Sequence, residues 1–131
     1  ISNKVRSIFK DSQGNFWIGS YKKGLSKFFP EDGHIEWFTP YSDTAHFIAN
    51  NTVWKIVEDR YKNLWIATHN GLQKTNLITG KTKVYQNNPN DSTSISSNVI
   101  YNLYFDKSGV LWIATFDGLN KYNKKTDCFR V

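Results

Sequence analysis

A segment of 47 or 48 residues occurs three times in this 131-residue chain, and this repetition restricts the possible folds more than any other feature. Each copy has a Trp that is preceded by an Asp six residues earlier and followed by a Gly-Leu pair six or seven residues later. The landmark tryptophans are Trp17, Trp65 and Trp112. Three landmarks at matched spacing in three copies are not expected by chance, so the chain is a repeat protein.

Each copy has the pattern of four short β-strands. The first strand alternates apolar and polar residues, whereas the second is a continuous apolar run around the landmark Trp, as in Leu64-Trp65-Ile66. Such a run is typical of a strand that is covered on both faces. The third strand begins at the Gly-Leu pair, and the fourth carries aromatic residues such as Tyr85. The pattern predicts an all-β fold, a β-propeller fragment of three four-stranded antiparallel blades, with almost no helix.

We expect a single propeller segment over the whole chain. Its blades are predicted at about 3–39, 51–87 and 98–131, with inter-blade loops between them. The chain contains no Met, even at its first position, which indicates a piece of a longer protein. Since closed propellers have four to eight blades, three blades leave an open arc. The ring is completed either by other blades of the parent chain or by a second copy of these three.

Small or apolar residues are predicted where neighbouring blades meet. Gly19, Ala67 and Ala114 directly follow the Trp-Ile pair, where a small side chain allows two sheets to approach closely. Ile48 and Ile95 lie in the polar inter-blade loops and are expected to fill the seams between blades.

The turn between the first and second strands has its own signature. Its Asp is predicted to accept backbone N–H groups, and Gly14 and Gly109 allow a positive φ. The second copy has Lys62 at the glycine position. Either Asn63 adopts the left-handed conformation there, or the turn is mildly strained.

The strings Asn-x-Val, Asp-x-x-Gly-Asn-x-Trp-Ile-Gly and Gly-Leu-x-Lys-Phe resemble the two-component regulator propeller repeat, and all three copies fit it. The resemblance implies the periplasmic sensor region of a bacterial hybrid two-component histidine kinase. Such regions commonly sense oligosaccharides and relay the signal by conformational change. The resemblance therefore implies an oligosaccharide ligand, a periplasmic location, and contact with the membrane only through the parent chain.

Composition excludes several other functions. The net charge of +6 is spread over all three copies rather than clustered, which argues against nucleic-acid binding. Cys128 is the single cysteine, so a disulfide framework or a multi-cysteine metal site is excluded, and a small buried hydrophobic side chain is expected there. The three histidines show no metal-ligand spacing. No cofactor or metal is predicted.

Ligand-binding residues are expected on loops, because a rigid scaffold usually presents them there. The landmark tryptophans are assigned to the core, whereas Trp54 on a first strand faces the central channel or a neighbouring blade. The tips between the second and third strands differ in every copy, either to form an asymmetric binding face or because nothing constrains them. The candidate ligand-binding residues are Tyr21, Lys22, Lys23, Trp54, His69, Asn70, Phe116 and Asp117.

An enzymatic role for this segment is not expected. The Asp-x-x-Gly-x-x-Trp hairpin is similar to the Asp-box of sialidase-type propellers, which hold a substrate carboxylate with three converging arginines. Here Arg6, Arg60 and Arg130 fall on unrelated blade positions, and adjacent carboxylates such as Glu58-Asp59 point to opposite faces of a strand. The alternatives to a sensor are, in order, a scaffold propeller for protein contacts or dimerisation and an Asp-box glycosidase-like propeller.

Overall fold

A computed structural model describes residues 4–42 and 44–131, which form three antiparallel sheets of four strands each. The first blade contains β1 (Val5–Lys10), β2 (Phe16–Ser20), β3 (Leu25–Phe28) and β4 (Ile35–Phe38). The second contains β5 (Val53–Glu58), β6 (Asn63–Thr68), β7 (Gly71–Asn76) and β8 (Thr82–Tyr85). The third contains β9 (Ile100–Phe105), β10 (Leu111–Thr115), β11 (Gly118–Asn123) and β12 (Cys128–Arg130). The predicted fold class is confirmed, although the expected start of the first blade at residue 3 lies outside the described residues.

Strands within each sheet lie side by side in chain order, as short hairpin connections dictate. The described part of the chain has one helical element, a single 3₁₀ turn at Thr44–His46 between the first two blades. It contains no helix with the length and apolar character needed to cross a membrane.

The turn between the first two strands of a blade is held by its Asp, as predicted. One oxygen of Asp11 accepts the backbone N–H groups of Gln13 and Asn15 at 2.9 and 3.0 Å. The other oxygen accepts the Trp17 indole N–H at 2.8 Å. Asp59 and Asp106 repeat this arrangement in their own blades. One carboxylate therefore fixes both the turn and the landmark Trp of each blade.

Lys62, and not Asn63, adopts the left-handed conformation in the turn of the second blade. Its φ is 68°, close to the 87° of Gly14 and the 82° of Gly109 at the matching positions. A side chain is disfavoured at such a φ, so the expectation of a mildly strained turn is the one that holds.

Two apolar clusters fill the two seams between blades. Ile48 is fully buried with residues of the first and second blades, and Ile95 is fully buried with residues of the second and third. A Cβ built on Gly19 would lie 2.6 Å from Val53 Cγ1, so the small residue predicted there is required for close approach of the sheets. Both predictions about the seams are confirmed at these positions.

The outer flank of the third blade is uncovered. Leu25 and Leu72 follow the Gly of their blades and are 1% and 0% exposed, because the next blade lies against them. Leu119 has the same place in the third blade and is 54% exposed. On the outer side of the first blade, Ile8 is 66% exposed while its counterpart Ile56 is buried. The same residue types thus meet water only where no neighbouring blade packs against them.

Candidate functional site

The first strand of every blade contains one residue that is left out of its pairing with the second strand. Pairing of β1 with β2 skips Arg6, pairing of β5 with β6 skips Trp54, and pairing of β9 with β10 skips Tyr101. All three precede their landmark Trp by eleven residues. Because a β-bulge redirects the side chain of its extra residue, the three side chains occupy one repeated place in the architecture.

A second repeated position lies beside the bulge. Tyr21, His69 and Phe116 each follow their landmark Trp by four residues, directly after or just beyond the second strand. Their backbone N–H groups donate to the carbonyls two residues before the bulge, at 3.0, 3.1 and 3.0 Å. These hydrogen bonds hold each loop residue next to the bulge residue of its own blade.

Side chains from the two positions pack into a continuous cluster across the blades, which we call the aromatic ladder. It comprises Arg6, Tyr21, Trp54, His69 and Tyr101. Ring centroids are 6.3 Å apart for Tyr21 and Trp54, 6.2 Å for Trp54 and His69, and 6.4 Å for His69 and Tyr101. Each loop residue thus contacts the bulge residue of its own blade or of the next one, and the ladder crosses both blade seams.

Polar groups orient the middle of the ladder. The Trp54 indole N–H donates to His69 Nδ1 at 3.1 Å, so a neutral His69 carries its proton on Nε2. The guanidinium carbon of Arg6 lies 5.4 Å from the centre of the Trp54 ring and 5.6 Å from that of Tyr21, within cation–π range. The ladder therefore combines the flat apolar faces of aromatic rings with N–H and O–H groups of the same side chains.

Of the predicted ligand-binding residues, the structure brings Tyr21, Trp54 and His69 together in the ladder. Lys22 is next to it, with its ammonium 5.1 Å from the centre of the Tyr21 ring. Phe116 is the next loop residue in the series and is 74% exposed.

The remaining three candidates make no ring contact in the ladder. Lys23 is an exposed residue of the first loop tip. Asn70 accepts hydrogen bonds from Gln86 at 3.2 and 3.3 Å, and the backbone N–H of Asp117 donates to Thr115. Their geometry supports a role in loop structure.

Arg6 and Tyr101 were missed as site residues. They were recognised only as the counterparts of Trp54 on the other first strands. The equal spacing of all three from the landmark Trp was the signal that could have found them. Sequence alone did not show that this position is a bulge, and a regular strand would have pointed alternate side chains away from the channel.

The landmark tryptophans belong to the scaffold. Trp17 and Trp65 are 4% and 2% exposed, and Trp112 is half-buried because it faces the open flank. A lysine of the third strand lies over each of them, at 5.0 Å for Lys27 and 5.5 Å for Lys74. A ligand has no access to the faces of Trp17 and Trp65, because these rings are almost fully buried.

The residues considered for catalysis are separated. Arg6 is in the ladder, whereas Arg60 and Arg130 line a cleft at the other end of the strands. Glu58 accepts hydrogen bonds from Ser12 of the first blade, and Asp59 holds its own turn, so the two carboxylates do point apart. Among the residues with described positions, no group of three or more His, Cys, Asp or Glu side chains is placed to hold a metal ion.

Comparison with known proteins agrees with this architecture. The profile of the family described as two component regulator propeller matches residues 1–22, 48–70 and 94–117, one segment in each repeat. The chain belongs to this family. A Trp and its turn lie in every matched segment, so the repeat that organises the fold is the one that defines the family.

A histidine kinase and the extracellular domains of hybrid two-component systems are among the proteins similar to this chain. Histidine kinase P4 of Formosa agariphila is 44% identical over 50 residues, which are 37% of this chain. The extracellular domain of the hybrid two-component system BT3049 from B. thetaiotaomicron is 28% identical over 100% of the chain, with a TM-score of 0.86. That of BT4673 from the same organism is 27% identical over 95% of the chain, with a TM-score of 0.75.

This chain is short beside these proteins. It covers 3% of the length of histidine kinase P4 and 18% and 17% of the two extracellular domains. Virginiamycin B lyase of Staphylococcus aureus also shares the fold, with a TM-score of 0.67 at 17% identity, and this likeness concerns the fold alone.

Proposed function

We propose that this chain is a ligand-sensing propeller segment of a periplasmic sensor region in a hybrid two-component histidine kinase, and that it recognises an oligosaccharide. The observation that carries the proposal is the aromatic ladder, three blades long, with Trp54 at its centre. The relatives add support, because two extracellular domains of hybrid two-component systems share the fold over nearly the whole chain. We further propose that the segment itself performs no chemistry.

The chemistry of the ladder suits a sugar chain. Pyranose rings have apolar C–H faces that pack on aromatic rings and hydroxyl groups that pair with polar atoms at the rim. Tyr101 is 41% exposed and Trp54 is half-buried, so both offer ring surface, while His69 and Arg6 offer N–H donors. Rings about 6 Å apart along the ladder match a ligand that has several sugar units rather than one.

The position of the ladder suggests how binding would be relayed. Its members come from all three blades, so a ligand that spans it contacts all three blades at once. Such a ligand binds best to one relative arrangement of the blades and shifts the population toward that arrangement. The resulting change in blade packing can then be transmitted to the rest of the parent protein.

We also propose that further blades cover the two open flanks, supplied by the parent chain or by a second copy. The exposure of Leu119 and Ile8, whose counterparts are buried between blades, supports this proposal. Light scattering tests the second-copy version: twice the mass of 15.2 kDa supports a ring of two chains, and a monomer contradicts it.

The sensing proposal is tested by calorimetric titration of the purified protein with a panel of neutral and acidic oligosaccharides. We expect saturable binding to a subset, and at least about tenfold weaker binding for Trp54→Ala, since central aromatic contacts dominate many interfaces. Trp37→Ala is the matched control, because Trp37 is also a partly exposed Trp but lies on β4, away from the ladder. No binding to any sugar, or equal binding by Trp54→Ala and the wild type, would contradict the proposal.

A further inference from the structure

A basic cleft lies between the second and third blades, at the opposite end of the first strands from the aromatic ladder. Trp54 is near the start of β5, whereas the cleft is formed where β5 and β9 end and turn into β6 and β10. Its volume is about 680 Å³, within the usual range for a small-molecule site. The ladder and the cleft are therefore separate sites.

The lining of this cleft is strongly cationic. Seven Lys or Arg side chains line it, against three carboxylates. Asp59 and Asp106 use their oxygens to hold their turns and tryptophans, and Glu58 accepts hydrogen bonds from Ser12 at 2.6 and 2.8 Å. Within the described part of the chain, none of the seven cations forms an ion pair with a carboxylate. The positive charge of the cleft is thus not neutralised by ion pairs with carboxylates.

The corresponding seam between the first and second blades is different, although the same scaffold builds it. Ser12 on the first turn is bonded there to Glu58, and it also accepts a hydrogen bond from Lys62 at 2.9 Å. These three residues close the seam with a neutral set of hydrogen bonds. The repeat itself therefore does not require a cationic cleft.

At the second seam every member of this set is replaced. Arg60 stands at the position of Ser12, Phe105 at that of Glu58, and Gly109 at that of Lys62. A Cβ on Gly109 would lie 2.6 Å from an Arg60 guanidinium nitrogen, so the glycine provides the space that this side chain occupies. No glutamate stands at the position of Phe105 to neutralise Arg60, and the Arg60 side chain lines the cleft.

A second replacement adds more charge to the same cleft. Leu77 and Ile78 of the second blade correspond to Lys124 and Lys125 of the third, and both lysines line the cleft. Lys107, at the tip of the third blade's turn, is a further cation of the lining. The ammonium of Lys124 lies over the Tyr61 ring, and its hydrogen bond lowers the pKa of that phenol.

We propose that this cleft binds an anionic oligosaccharide, one that carries carboxylate or sulfate groups, independently of the ladder. The proposal rests on the proposed sensing function for its choice of a sugar. Arg60 supplies a planar guanidinium that pairs with a carboxylate or sulfate through two hydrogen bonds, and Lys107 and Lys124 supply point charges on either side. Tyr61, which is 52% exposed, adds a phenol ring to the lining, and Lys124 lies over that ring.

The test is titration of the protein with three probes: tetragalacturonate, a heparin-derived tetrasaccharide and neutral cellotetraose. We expect at least one acidic probe to bind, with affinity falling about tenfold or more between roughly 0.05 and 0.5 M salt, because salt screens charge pairs. Replacing Arg60→Gln together with Lys107→Gln is expected to weaken acidic-probe binding by about 10- to 100-fold, since hydrogen bonds to charged groups are strong ones.

The matched control is Lys10→Gln together with Lys81→Gln, which removes the same charge from exposed positions outside the cleft. An equal loss of affinity in this control would overturn the cleft proposal, because the effect would then be one of net charge. The absence of acidic-probe binding would also overturn it. So would an oligoglutamate peptide that binds with the same affinity as the acidic sugars and loses the same affinity when Arg60 is changed.

The two proposals fail in different ways. Acidic-probe binding that survives Trp54→Ala but is lost with Arg60→Gln supports the cleft, whereas neutral-sugar binding that survives Trp54→Ala contradicts the ladder. Sugar binding that is lost in Trp54→Ala and unaffected by the Arg60 and Lys107 changes supports the ladder and overturns the cleft.

Discussion

Trp65 and Trp54 lie eleven residues apart in one blade, and they show how the same residue type can have two different roles. Trp65 is 2% exposed, its indole N–H is bonded to Asp59, and Lys74 lies over its ring. Trp54 is half-buried and its indole N–H is bonded to His69, which no other blade matches. The first set of partners recurs in all three blades, so it builds the blade. The second does not recur, which leaves it available for recognition.

The largest effect should come from removing the scaffold Trp. We expect Trp65→Ala to lower the free energy of unfolding by about 3–5 kcal/mol, because it opens a cavity and removes one of the hydrogen-bond donors to the Asp59 carboxylate. Trp54→Ala should cost less, about 1–3 kcal/mol, since its side chain is only partly removed from water. Denaturant titration of both variants measures the difference. Equal losses would show that Trp54 is a scaffold residue too.

A pair of leucines sharpens the comparison within the scaffold itself. Leu72→Ala is expected to cost about 2–5 kcal/mol because a neighbouring blade covers this side chain. Leu119→Ala, at the equivalent position on the open flank, should cost less than about 1 kcal/mol. Thermal unfolding of the two variants provides the test. A large loss for Leu119→Ala would mean that something covers the flank in solution.

Acid should weaken the second seam through Asp127. Burial raises the pKa of Asp127, but hydrogen bonds from Lys83, Tyr122 and Tyr85 outweigh it, and the pKa falls to about 2. These donors lie 2.5, 2.6 and 2.6 Å from the carboxylate, and two of them come from the preceding blade.

Because the folded-state pKa is below the usual 3.8, the contribution of Asp127 to stability is complete above about pH 4 and is lost as the pH falls toward 2. Asp127→Asn should cost about 1 kcal/mol at neutral pH and should reduce the loss of stability over this range. Urea unfolding at pH 2.5, 4 and 7 measures both effects. A variant that loses as much on acidification as the wild type would rule out Asp127 as the source.

The smallest effect concerns the turn of the second blade. Lys62→Gly should raise the free energy of unfolding by about 0.5–1 kcal/mol, because glycine adopts a φ of 68° without a steric penalty. The gain is limited by loss of the exposed hydrogen bond to Ser12. Asn63→Gly serves as the control and should give no gain. If Asn63→Gly stabilises the protein and Lys62→Gly does not, the strain lies at Asn63 and the assignment to Lys62 is wrong.

The repeat made the fold accessible from sequence. The landmark Trp, its Asp and the Gly-Leu pair fix the four strands, and the apolar positions 48 and 95 were correctly expected in the seams. Burial of a residue that occurs in every copy is a property of the repeat, so it can be inferred by comparing copies within the chain. Lys62 shows the limit, since sequence left open which of two neighbours takes the left-handed conformation.

Only part of the candidate site could be predicted from the sequence. Trp54, Tyr21 and His69 were named for separate reasons, a variable strand position and variable loop tips, and nothing in the sequence placed them in one row. Their contacts depend on a bulge in the first strand and on the relative position of two blades, which are tertiary features. The cationic cleft is not apparent from the charge of any single blade, because its Lys and Arg side chains come from two blades across a seam.

The central claim is that the ladder, and not the landmark tryptophans, contacts the ligand. A ¹⁵N–¹H correlation spectrum resolves the five indole N–H groups of this chain, and titration with a neutral oligosaccharide that binds in calorimetry reports on each of them. We expect the Trp54 signal to shift in a saturable way while the signals of Trp65 and Trp17 stay in place. A bound sugar that leaves Trp54 unmoved, or that moves Trp65 instead, would contradict the account.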